Sequence, residues 1–246
     1  MSRKMELELQ RFQVILVGPQ TSGNVGSVCR AMKTMGFTRL IIVGRTREYF
    51  DLDQIKTFAL HARDLFENAV FYPSLSEALA GSILAAGITR RRGKYRKYFS
   101  LLPEQLTEHL ATMGSGPVSL VFGRESDGLT DEELALCNVA VRIPTSESFP
   151  SLNLSHAVQV IAYTLSREYR PPMQAFKAID QHRLLELSHT VTDSFDQIGF
   201  FKQNEKEEVG RFFTDIFSRS GLSENEAARL IKMFRKMAGL KIHRPH

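Results

Sequence analysis

Four stretches of this 246-residue chain carry residue types and spacings that could do chemistry. The first is Asn24-Val25-Gly26-Ser27-Val28-Cys29-Arg30. Gly23 and Gly26 let backbone approach a ligand closely. Arg30 is expected one to two turns inside a helix that starts here, where it could point back toward strand ends. Its planar fork of donors suits a phosphate. The same pattern also describes an N-capped helix with a surface arginine. The second stretch runs Phe122-Gly123-Arg124-Glu125-Ser126-Asp127-Gly128-Leu129-Thr130. Gly123 ends an apolar run, and in open α/β sheets ligands bind at the carboxyl ends of strands. Arg124 and Glu125 could pair with each other or orient a ligand. Thr130 with Glu133 reads as a capping box, which is structural.

The third stretch spans Ile143 to Asn153. Ser151 and Asn153 stand at a helix start, where either could simply be the N-cap. The fourth is the basic run Arg90, Arg91, Arg92, Lys94, Arg96 and Lys97, six of eight residues, followed and interleaved by Tyr95, Tyr98 and Phe99. Such a run can be no more than a solvated face. Here it begins at a strand end, and its aromatics could stack on unpaired bases, which favours nucleic-acid binding.

Other chemistries find little support. There is no P-loop, dinucleotide fingerprint, HExxH, GxSxG or CxxC. The seven histidines are scattered, and Cys29 and Cys137 fit no metal spacing. No metal is therefore expected. Buried thiols in a reducing cytoplasm are the plain reading of the two cysteines.

The elements that must position these residues follow from hydropathy patterning. Residues 12–17 (FQVILV), 40–43 (LIIV), 69–72, 82–88, 118–122 and 140–143 read as short strands, the longest apolar runs buried on both faces. Helices are expected at 25–36, with Gly36 as the C-cap position, at 52–68, at 74–80 with Ser74 and Glu77 in capping-box relation, and at 103–113. Strands alternating with helices define an α/β fold with a mostly parallel sheet. The helix after Asn153 carries Ala157, Val158, Val160, Ile161, Ala162 and Leu165. Apolar groups around so much of its circumference suggest burial on more than one side, including a subunit contact. Arg170-Pro171-Pro172 breaks the chain. Beyond it, apolar stripes at Phe212, Phe213, Ile216 and Phe217, and at Ala227, Leu230, Ile231, Phe234 and Met237, predict a small all-helical extension. Two domains are expected, residues 1–168 and 173–246.

The net charge of +5 and pI near 9.3 hint at an anionic partner. No apolar run reaches the roughly 18 residues of a membrane span. The first residues lack the apolar core of a signal peptide. A cytoplasmic protein with no membrane contact is expected.

Taken in order, the three loops resemble the signature of the SPOUT RNA methyltransferases, in particular the SpoU/TrmH class. NVGSVCRAMKTMGF, LVFGRESDGLT and IPTSESFPSLNLSHAVQVIAY are similar to its motifs 1, 2 and 3. The likeness covers residues 12–168, and the helical tail resembles that of a tRNA 2′-O-methyltransferase branch acting at the start of the anticodon loop, position 32. The resemblance implies a parallel-sheet SPOUT domain with a C-terminal trefoil knot, a homodimer with the motif 3 helix in its interface, and S-adenosylmethionine as methyl donor. It places the donor against Ile88, Thr89, Arg90, Gly123, Glu125, Ile143, Ser151, Leu152 and Asn153. It gives Arg30 the ribose hydroxyl or its phosphate, with Asn24, Ser151 and Asn153 completing the catalytic group. RNA would meet Arg30, Arg90, Arg91, Arg92, Lys94, Arg96, Lys97 and Arg124. The chain departs from the branch at Cys29, where alanine is common, and in its unusually basic 90–99 segment. Ribosomal RNA as substrate, or an RNA-binding protein without catalysis, are the alternatives.

Overall fold

A computed structural model describes residues 8–90, 100–169, 177–202 and 205–240. Strand β1 (Phe12–Val17) shows why its neighbourhood is a parallel sheet. Every residue of it is buried. Phe12, Val14 and Leu16 enter one apolar core, while Ile15 and Val17 enter another on the opposite face. A strand that must bury both faces needs helices on both sides, which parallel crossovers supply.

Seven strands follow the order β3-β2-β1-β6-β4-β7-β5, every pairing parallel. They are β1, β2 (Arg39–Val43), β3 (Val70–Tyr72), β4 (Leu84–Ile88), β5 (Ser100–Leu101), β6 (Val118–Phe122) and β7 (Val139–Val141). β5, two residues long, carries too little pattern to be visible in the sequence. Helix α1 (Ser22–Thr34) links β1 to β2; Thr21 caps its start, and Gly36 turns its end at φ 79°.

The helix expected over residues 52–68 is two helices, α2 (Leu52–Ala59) and α3 (Arg63–Glu67), separated by a 3₁₀ turn. Leu60 there takes φ 51°, a left-handed value unusual for leucine. A straight helix of that length would run about 25 Å. The break instead folds Leu65 and Phe66 back into the core. Helix α4 (Leu75–Leu79), capped by Ser74, precedes β4. Helix α5 (Pro103–Thr112) lies between β5 and β6, and α6 (Asp131–Ala135), with the Thr130/Glu133 capping box, between β6 and β7. Helix α7 (Leu154–Glu168) packs along α1.

Three more helices, α8 (Gln181–Gln197), α9 (Glu205–Ser220) and α10 (Glu224–Ala238), bury their own cluster around Leu187, Val191, Phe217 and Ile231. The Ser223/Glu226 capping box forms as expected. This extension is stitched to the sheet domain through Gln181, whose backbone N–H donates to Ser82 O at 2.8 Å and whose Oε1 accepts from Asn138 Nδ2 at 2.9 Å.

Candidate functional site

Strand register determines what meets at the carboxyl edge of the sheet. Leu16 pairs with Phe122, Phe122 with Ile88, and Ile88 with Val141. The loops leaving β1, β6, β4 and β7 therefore start at one level, side by side, although they lie far apart in sequence.

The loop after β6 is a closed turn. Arg124 N donates to Gly128 O at 3.1 Å and Gly128 N returns to Arg124 O at 2.9 Å. Gly128 stands at φ 73°. Gly123 admits no side chain: a Cβ there would lie 2.0 Å from Gly128 C and 2.2 Å from Leu129 N. Arg124 and Glu125 do not pair with each other. The Arg124 fork binds Glu133, Nη1 to Oε2 at 3.0 Å and Nη2 to Oε1 at 2.9 Å. That hydrogen bond raises the guanidinium pKa further above its ordinary value. Arg124 thus ties the turn to α6.

Glu125 reaches the other way, into the loop after β1. Its Oε2 accepts from Gln20 N at 2.8 Å. Its Oε1 accepts from Thr21 N at 3.2 Å, Thr21 Oγ1 at 3.2 Å and Asn24 Nδ2 at 3.0 Å. Asn24 continues the chain, its Oδ1 accepting from Asn153 Nδ2 at 2.9 Å. Asn153 is the N-cap of α7, with Oδ1 accepting from Ser155 N at 2.9 Å. One connected polar network, Glu125–Asn24–Asn153, therefore joins all three loops. Asn153 is both the cap and a member of the site, so the two readings of it are compatible.

A cavity of ≈ 120 Å³ opens between the loops. Of the nine residues expected around the methyl donor, eight line it: Ile88, Thr89, Arg90, Gly123, Glu125, Ile143, Ser151 and Leu152. Asn153 is absent from the lining and touches Asn24 instead. Phe122, Ile143, Leu154 and Ala157 give it apolar walls; Ser126, Asp127 and Thr145 add polar ones. Sequence reasoning missed Gln20 and Thr21. Their backbone N–H groups, which hold the loop to Glu125, have no sequence signal, but the Gln20 side chain also accepts from Ser126 N at 3.2 Å.

Arg30 is placed differently from the expectation. It lies nine residues past the N-cap Thr21, in the third turn of α1, exposed and with no side-chain partner among the described residues. Asn24 does not orient it; the Asn24 amide is spent on Glu125 and Asn153. Arg90 lines the cavity. Arg91, Arg92, Lys94, Arg96 and Lys97 lie outside the described residues. Among the described residues, no cluster of three or more His, Cys, Asp or Glu side chains could hold a metal, and no helix is long and apolar enough to cross a membrane.

A parallel α/β sheet with a cavity at its carboxyl edge, walled by three cross-linked loops, is the arrangement of a nucleotide- or nucleoside-binding enzyme. The SpoU rRNA Methylase family matches residues 11–163, and the chain belongs to that family. It is 34% identical over 232 residues to the tRNA (cytidine-2′-O-)-methyltransferase TrmJ of Methanocaldococcus jannaschii, covering 91% of this chain and 98% of that one. It is 34% identical over 224 residues to the tRNA (cytidine/uridine-2′-O-)-methyltransferase TrmJ of Salmonella choleraesuis, covering 86% and 90%. The crystal structure of TrmJ from Z. mobilis superposes with a TM-score of 0.73 at 25% identity, covering 92% of this chain and 98% of that one.

Proposed function

We propose that this protein is a tRNA 2′-O-methyltransferase that uses S-adenosylmethionine and acts at the start of the anticodon loop, position 32. The observation that carries this reading is the cavity at the ends of β4, β6 and β7, cross-linked by Glu125, Asn24 and Asn153. The cavity suits the donor: Leu152, Leu154, Ile143 and Ala157 offer apolar surface to a purine, and the carboxylates of Glu125 and Asp127 stand where a ligand's positive charge can meet them. The donor supplies a methyl group on a sulfonium, a good leaving group, so no metal is needed.

The protein's own residues do the rest. Ser151 lines the cavity beside which the ribose is held, and Asn24 and Asn153 lock the loops around it through their hydrogen bond. Arg30 grips the 2′-hydroxyl or its neighbouring phosphate through charge-assisted hydrogen bonds. Arg30 positions the hydroxyl, whose proton passes to water as the methyl group is accepted. Positioning of this kind is worth several kcal/mol of barrier. Arg90 and the basic segment after it attract the RNA backbone; Arg124, expected to join them, has its fork spent on Glu133 and adds no net charge.

A homodimer completes the site in this reading. Helix α7 packs on α1 yet leaves Tyr163 51% exposed, and Phe149 in the preceding loop is 77% exposed. Burying that face against a second copy would bring a further surface to Arg30. The deep trefoil knot formed by the last part of the sheet domain, and a cytoplasmic site of action, belong to the same proposal. The division into a methyltransferase domain, 1–168, and a helical extension, 173–246, gives the extension RNA contact; Arg229, Lys232, Arg235 and Lys236 are exposed along α10.

The test is methyl transfer from labelled S-adenosylmethionine, with modified sites mapped in tRNA and ribosomal RNA incubated with the protein. Arg30→Ala is expected to abolish transfer and leave donor affinity within about twofold. Transfer to ribosomal RNA only, or none to any RNA, would overturn the proposal.

A further inference from the structure

The segment after β2 was not part of any expected motif, yet it is fastened to the loop after β1. Arg45 Nε donates to Pro19 O at 3.3 Å. Tyr49 Oη donates to Gln20 O at 3.2 Å. The Arg45 guanidinium lies over the Tyr49 ring, 4.4 Å from its centroid. Tyr49 is 49% exposed, and its edge is set against the buried ring of Phe50 at 5.1 Å. The Asp51 N–H donates to Ser22 Oγ at 2.9 Å, closing the segment onto the start of α1.

Two arginines in this segment divide their duties. Arg47 spends its terminal nitrogens on Phe66 O at 2.9 Å and Ala69 O at 3.0 Å, which makes it a structural brace. Arg45 uses only Nε, and its two terminal nitrogens have no partner among the described residues. Beside it Gly44 faces open space: a Cβ there would meet nothing within 4 Å. A half-buried cation stacked on a half-exposed ring, its terminal donors without a partner among the described residues, is the chemistry that holds an unpaired nucleotide, its base by stacking and its phosphate by charge.

The position agrees with that chemistry. β2 lies two strands from β6 on the same carboxyl edge, about 10 Å away at ordinary strand spacing. The pair is thus beside the reacting centre without lining the cavity. Resting on the proposed tRNA methyl transfer, we infer that Arg45 and Tyr49 form a platform for a nucleotide flanking the methylated one. RNA would then cross the sheet edge from the cavity, where Arg90 stands, past α1 to the platform.

The test uses the full-length protein, an unmodified tRNA transcript and two readouts, direct tRNA binding and steady-state methyl transfer. Tyr49→Ala is expected to weaken tRNA binding and raise KM for tRNA about tenfold, the usual effect of losing one stacked base. kcat and donor affinity should stay within about twofold. Arg45→Ala should do the same and reduce the salt dependence of binding by about 0.7 in log–log slope, one phosphate contact. Tyr49→Phe keeps the ring but loses the bond to Gln20 O, and should match wild type. A purely structural role would instead make Tyr49→Phe lose kcat and stability, which would overturn the inference. Unchanged tRNA binding in both alanine variants would overturn it too, whether or not the wild type transfers methyl. A wild type that binds tRNA through this platform but transfers nothing would sink the functional reading alone.

Discussion

Glu125→Gln tests whether the three loops act as one unit. The carboxylate accepts four hydrogen bonds, one at Oε2 and three at Oε1. The amide nitrogen does least harm facing the Gln20 N–H, where a donor then meets a donor. That removes one hydrogen bond to a charged acceptor and weakens three others to neutral strength. Bonds to charged groups are worth about 1.5–3 kcal/mol and neutral ones about 0.5–1.5. The site is partly exposed, so low-end values apply, and a net cost of about 4–5 kcal/mol results. If catalysis needs the loop closed, kcat falls by about a thousandfold or more. The assay is single-turnover methyl transfer at saturating donor and tRNA, run on Glu125→Gln, Asn24→Ala and the double variant. Because Asn24 acts through the same network, the double variant should be no slower than the worse single one. Losses that multiply would show that Glu125 and Asn24 act independently, and the single-unit reasoning would fail.

Gly123→Ala places a methyl against the backbone of Gly128 and Leu129, which cannot move aside. A loss of about 3 kcal/mol is expected, or a fall of about 6–12 °C in Tm by calorimetry; a change under 2 °C would contradict the packing. Burial, with a smaller push from the charge of Asp64, drives the Cys29 thiol pKa up to about 12. Native protein at pH 8 should leave Cys29 unalkylated by iodoacetamide, with labelling only in denaturant; mass spectrometry of the Cys29 peptide decides. Burial, and then the charge of Arg219, lowers the pKa of His109, whose Nε2 is buried without a partner among the described residues. The unfolded chain therefore binds the proton more readily, so stability is complete above the ordinary histidine pKa of about 6.5 and is lost as pH falls below it. His109→Gln should flatten Tm between pH 5 and 7; equal slopes in both proteins would remove His109 from the account.

The parts of the fold legible in the sequence were those enforced by burial or capping. FQVILV and VSLVF had to be strands with both faces covered, and Thr130/Glu133 and Ser223/Glu226 had to begin helices. The break at Leu60 was not legible, because its apolar spacing continues the helix on either side and only tertiary packing interrupts it. The loops that wall the cavity were legible from their composition at strand ends, while the residues expected around the donor came from the resemblance of those loops to the family motifs. The role of Glu125 was not: half of the donors it gathers are backbone N–H groups, which every residue but proline carries. Nor did the sequence reveal the Arg45–Tyr49 stack, since two residues four positions apart in a connecting segment imply no contact without the turn that folds them together.

The position of Arg30 raises the remaining mechanistic question. The three loops close on each other through Asn24, Glu125 and Asn153, leaving Arg30 exposed further along α1. A single copy therefore closes the cavity proposed for the donor more completely than it surrounds Arg30. If a second copy completes the site, methyl transfer must depend on protein concentration while donor binding does not. Dilution through the dimer dissociation range, followed by analytical ultracentrifugation and by donor titration, separates the two. Transfer per chain should fall in step with the dimer fraction, with donor affinity constant within about twofold. Full activity in a dilution that is wholly monomeric would place every catalytic group within one chain, and Arg30 would then have to reach the cavity by a rearrangement of α1.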